Sequence, residues 1–133
     1  MTNQEFHESV VTADKWSKVI ALGVAIAAFL LARRTAGDVQ FASIVAAAAA
    51  IGVRIYVPYH ASTRVPEAER TAIHDHPLTG NYHHGAAGLA LVALALAALA
   101  AFVFGHGFLA AVGVGVISGG VVYVVLASWL PAA

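Results

Sequence analysis

The chain has no cysteine, only four prolines, and just eleven per cent charged residues in 133 positions. Without cysteine there is no disulfide, thiolate metal site, iron–sulfur cluster or cysteine nucleophile. Seven Lys and Arg balance seven Asp and Glu, so no basic field exists to hold nucleic acid. Low charge with a sixty per cent apolar composition also excludes a disordered chain, which needs the opposite balance. A soluble domain is normally about a quarter charged. What remains is a chain built for a lipid environment.

A helix that crosses a bilayer needs about 20 mostly apolar residues, because the hydrocarbon layer is about 30 Å thick. Four stretches qualify, at about residues 16–32, 39–57, 85–104 and 108–130. Parts of them alternate Leu with Ala or Val with Gly, a pattern that suggests strands in water. In lipid, four strands cannot close a barrel, and an open sheet edge leaves backbone donors without partners. The expected fold is therefore all-α: a single polytopic membrane domain, a four-transmembrane-helix bundle with a His-rich loop between helices 2 and 3. Residues 1–14 are polar and acidic and lack the basic start of a cleaved signal peptide.

The connections set the topology. Residues 33–38 and the tripeptide Gly105-His106-Gly107 are short, whereas residues 58–84 form the one long loop. An even number of crossings puts both termini and this loop on one face. Lys15, Lys18, Arg54, Arg64 and Arg70 fall on that face and Arg33 and Arg34 on the other, which favours cytoplasmic termini. Trp16, Trp129, Tyr56, Tyr59 and Tyr82 also gather there, where amphipathic rings anchor a boundary. Phe41, Phe102, Phe104 and Phe108 mark the opposite face.

Lipid gives helices no hydrophobic reason to associate, so small residues that permit close approach must bring them together. Helix 4 offers Ala111, Gly115 and Gly119, with Gly113 and Gly120 beside them. Helix 3 offers Ala93, Ala97 and Ala101, and helix 2 the run of alanines at 46–50 followed by Gly52. These faces are expected to pack the bundle internally, and because three of them exceed what one bundle consumes, they also point to a homo-oligomer or to other membrane subunits as partners besides the bilayer. No Asp, Glu or His lies within the four spans, and this disfavours a charge-relay transporter. Arg54, about three residues from the end of its span, is expected to snorkel to the boundary.

The distinctive feature is the clustering of imidazoles. His60, His74, His76, His83 and His84 lie in the long loop or at its edges, His7 joins them on the same face, and His106 alone lies opposite. Neutral imidazole is a metal ligand, and residues 74 and 76, if extended, point to one side. With His60, His83 or His84 they could supply three or four ligands to Zn, Cu or Fe, with Asp75, Glu67 or Glu69 orienting a ring or binding directly. His60 with His83 or His84 could also hold haem near one boundary. The same rings can instead be solvated or hydrogen-bonded as structural groups, or form a loop whose charge changes between about pH 5 and 8.

Locally, Val65-Pro66-Glu67 reads as the start of a short surface helix, with Pro in the first turn and acids at the dipole's positive end. Pro77 stops whatever follows His76. Leu78-Thr79-Gly80-Asn81 is turn chemistry, with Asn81 the N-cap of helix 3 and His83 and His84 in its first turn. No phosphate loop or Ser-His-acid arrangement can be singled out, so no reaction is assigned. Two functions follow: a small non-catalytic subunit or assembly partner of a membrane complex, or a transition-metal-binding membrane protein using the His cluster.

Overall fold

The computed structural model describes residues 5–76 and 79–133. Among them the regular structure is helical: α1 (Glu8–Ala36), α2 (Val39–Thr63), α3 (His84–Val103) and α4 (Phe108–Trp129). Each is long and apolar enough to cross a membrane. The helices pack in chain order, α1 on α2, α2 on α3 and α3 on α4, with α1 touching α3 only slightly. Thus α2 and α3 form the middle of the bundle and α1 and α4 its flanks.

The short turns are sharply defined. Gly37 takes φ +75°, and its N–H closes the last turn of α1 on the Arg33 carbonyl. Asp38 follows directly as N-cap of α2, accepting the Phe41 N–H at 2.8 Å. Replacing Asp38 by alanine removes that acceptor and is expected to cost about 1 kcal/mol, seen as a lower melting temperature, while Asp38→Asn stays near wild type. Gly105 takes φ +98°, and the next N–H, of His106, bonds the Ala101 carbonyl to end α3. At this end the core is built on fully buried Phe41, with Phe102 at 4.5 Å and Phe108 edge-on at 5.9 Å. Phe41 is thus a core residue and not a boundary anchor.

Between the ends, bare backbone makes the contacts. Gly52 of α2 and Gly88 of α3 face each other: a Cβ on Gly52 would lie 2.5 Å from the Gly88 carbonyl oxygen. On α4, Ala111, Gly115 and Gly119 are buried as the small-residue pattern requires, and Gly115 sits over the Leu94 carbonyl. The α3 stripe differs from expectation. Ala90, Ala95, Ala98 and Ala101 are buried, whereas Ala93 and Ala97 are only half-buried. Of the three expected positions only Ala101 lies in the seam, which on α3 runs through Ala90, Ala95, Ala98 and Ala101.

The other end is an ordered cap. α1 begins at Glu8, eight residues before the expected span, and α2 continues through Pro58 to Thr63. Proline removes one backbone bond without ending the helix, a substitution membrane helices tolerate where neighbours support them. His60 therefore lies on α2 rather than in the loop, and the connection shortens to residues 64–83. That connection contains two single-turn 3₁₀ helices, Glu67–Glu69 and Ile73–Asp75. Pro66 caps the first of these, so the expected surface helix exists only as one turn. The expectations for Pro77 and Leu78 lie outside the described residues.

Candidate functional site

Both chain ends and the loop meet in the cap. Thr71 Oγ1 donates to the Glu5 carbonyl at 2.9 Å, and the Ile73 N–H donates to the Ala133 carbonyl at 3.2 Å. A second core forms there from Val10, Tyr59, Val65, Ile73 and Ala133, with Phe6, Tyr56, Ala61 and Leu130 packed against it. Arg70 fastens the loop to the end of α2 by donating from Nη2 to the Val65 and Thr63 carbonyls, at 2.7 and 3.2 Å.

The imidazoles take separate places in this cap. His83, not Asn81, is the N-cap of α3: its Nδ1 accepts the Ala86 N–H at 3.1 Å. Its Nε2 therefore carries the proton and donates to the Leu130 carbonyl at 3.2 Å, tying α3 to the end of α4. His84 is the first residue of α3, 7% exposed, with Nδ1 and Nε2 each 3.0 Å from a backbone carbonyl, those of Tyr82 and Thr79. The Tyr82 ring stacks on it at 4.0 Å. Asn81 is exposed, because the two histidines hold the helix start between them.

His74 and His76 do not form the extended pair that the His-x-His spacing suggests. The 3₁₀ turn Ile73–Asp75 rotates them apart. His74 Nε2 lies 3.3 Å from Asp75, while the His76 ring stacks on Phe6 of the N-terminal segment at 4.7 Å. His60 lies along Tyr56, ring centroids 5.7 Å apart. His7 caps α1, its Nδ1 accepting the Ser9 N–H at 3.2 Å, with Nε2 3.6 Å from Glu69. Among the described residues no three His, Asp or Glu side chains come together as a metal ligand set.

Arg54 also has partners that its sequence position concealed. With α2 extended to Thr63, it is no longer near the helix end. Its Nη1 pairs with Asp14 of α1 at 2.5 Å and donates to Ser17 Oγ at 2.9 Å. Ser17 is fully buried and donates in turn to the Asp14 carbonyl at 2.6 Å. Lys18 stands 3.9 Å from the other Asp14 oxygen. Asp14, Ser17 and Lys18 share one face within a single turn of α1, the one signal that could have marked this cluster in the sequence.

This ion pair lines a cavity of about 500 Å³ between α1, α2 and the loop. Phe6, Val10, Ile55, Pro58 and Ile73 give it apolar walls, and His76, Thr79, Tyr82 and His84 line the loop side. The boundary aromatics divide accordingly. Trp16 and Trp129 point outward as anchors do, while Tyr59 is buried in the cap core. Compared with protein families, curated proteins and solved structures, the chain finds no match.

Proposed function

We propose that this chain is a small, non-catalytic integral membrane protein that works by docking. It crosses the bilayer four times and offers its folded cap and outer helix sides to other membrane subunits or to further copies of itself. The observation that carries this reading is what the imidazoles do. His7 and His83 cap helices, His84 meets two carbonyls, and His60 and His76 stack on aromatic rings. Rings used this way build a rigid surface, whereas a reaction centre needs ligand nitrogens that converge on one point.

The flanking helices support the same reading. Only 11% of the most apolar stretch of α1 and 17% of that of α4 is buried within the chain. Gly23 of α1 and Gly113 and Gly120 of α4 have open space where a Cβ would stand. Bare backbone gains nothing from lipid but lets another helix come close. The excess of Lys and Arg at the cap end supports a cytoplasmic cap.

Mass measurement in mild detergent tests the proposal. A species larger than one chain is expected, and Gly113→Leu with Gly120→Leu is expected to reduce it to monomer. A strictly monomeric wild type that co-purifies with nothing overturns it. Metal analysis of the same sample tests the alternative, a bound Zn, Cu or Fe. The expected content is background. Stoichiometric metal that is lost in His76→Ala or His84→Ala would replace docking by a metal function.

A further inference from the structure

The cavity between α1, α2 and the loop lies apart from the outer sides of α1 and α4 proposed for docking. Its volume, about 500 Å³, lies in the range of about 300–1,000 Å³ typical of small-molecule sites. Its composition is also that of such a site, apolar walls with a few polar groups at defined places. Val11 lies on the α1 wall and is partly exposed to solvent.

The charges in its lining specify what fits. Asp14 is shared between two cations, Arg54 at 2.5 Å and Lys18 at 3.9 Å, so the cluster is net positive. Among the described residues, the bonds from Arg54 to protein all leave from Nη1. The Nε–H and Nη2 edge is the other fork of a planar guanidinium, and a carboxylate matches that fork with two parallel hydrogen bonds. A cationic head meets a net positive cluster, and an uncharged head forgoes the charge-assisted pair.

We infer that the cavity binds an amphipathic carboxylate, a single acid group on a compact apolar body, with the acid on Arg54 and the body between Phe6, Val10, Pro58 and Ile73. The acid adds to Arg54 without displacing Asp14, because the two use different nitrogens. Lys18 leaves the Asp14–Arg54 pair with charge to spare for it.

The full chain in nanodiscs, titrated with 4-phenylbutyrate, 4-phenylbutanol and 4-phenylbutylamine, tests the site, with empty nanodiscs subtracting partition into lipid. The acid is expected to bind at one site about tenfold tighter than the alcohol, and the amine weakest. Arg54→Gln is expected to erase the difference between acid and alcohol, and Val11→Trp to weaken both by filling part of the cavity. Asp14→Asn removes the competing carboxylate and is expected to tighten the acid severalfold, a readout that stands if Arg54→Gln fails to fold. Equal affinity of acid and alcohol, a preference that survives Arg54→Gln, or weaker acid binding in Asp14→Asn overturns the inference.

Discussion

Gly88→Ala and Gly52→Ala are expected to lower the melting temperature of the protein, dispersed to single chains in a stronger detergent, by about 10 °C, whereas Gly113→Ala and Gly120→Ala leave it unchanged or raise it. All four substitutions place the same methyl group in the middle of a helix. At Gly88 that methyl lands 2.7 Å from the Gly52 carbonyl oxygen and 2.8 Å from Tyr56 Cβ; at Gly52 it lands 2.5 Å from the Gly88 carbonyl. Neither obstacle is the tip of a flexible side chain, so relief requires α2 and α3 to move apart. Overpacking of this kind costs about 3 kcal/mol, at the upper end of the usual range. The better helix propensity of alanine returns about 1 kcal/mol. The remaining 2 kcal/mol or so corresponds to several degrees per kcal/mol in a domain of this size. Gly113 and Gly120 have nothing within 4 Å, so only the propensity gain applies to them. Equal melting temperatures across the four variants would mean that the seam between α2 and α3 is looser than backbone-to-backbone contact.

The four long helices were legible because hydropathy is a local property, and an apolar run of that length has no alternative to a helix in lipid. Their ends were not. Hydropathy falls where a helix leaves the hydrocarbon layer, but the helix itself stops where its backbone bonds find other partners. At α1 that place is His7, whose ring caps the helix nine residues before the apolar run; at α2 it is Arg64, well beyond Pro58. The small residues of α4 were readable as a packing face, since Ala111, Gly115 and Gly119 need only one helix for their alignment. The ion pair was not readable, because Asp14 and Arg54 are forty positions apart and meet only once α1 and α2 are set in register. The histidines were conspicuous and their partners were hidden for a related reason. His83 bonds to the carbonyl of Leu130 and His84 lies against those of Tyr82 and Thr79, and a backbone carbonyl carries no residue identity for a sequence to display.

Tyr59→Ala is expected to open the cap while the four spans stay folded. Tyr59 is 3% exposed, and its Oη donates to the Pro131 carbonyl at 2.5 Å. Its ring lies 5.4 Å from that of His83 and covers Gly85, where a Cβ would lie 2.2 Å from the ring edge. One side chain thus joins α2, the start of α3 and the tail after α4. Truncating a buried aromatic to alanine costs about 3–5 kcal/mol. None of these contacts reaches the Phe41 core, so the loss falls on the cap as local opening. Trypsin reads this directly, since Arg64 and Arg70 lie in the segment that Tyr59 holds down. If cleavage follows the open population, its rate there rises by two orders of magnitude or more, about tenfold for each 1.4 kcal/mol. Helical circular dichroism is expected to change little. Tyr59→Phe keeps the ring, loses one hydrogen bond worth about 1 kcal/mol, and shifts the rate about fivefold. Gly85→Ala attacks the same contact from the other side by pushing the ring out of its place. The double variant Tyr59→Ala with Gly85→Ala is therefore expected to be cleaved no faster than Tyr59→Ala alone, because the methyl has no ring left to displace. Additive losses would show that Gly85 is required by something other than Tyr59, and melting of the spans together with the cap would show that the two cores fold as one unit.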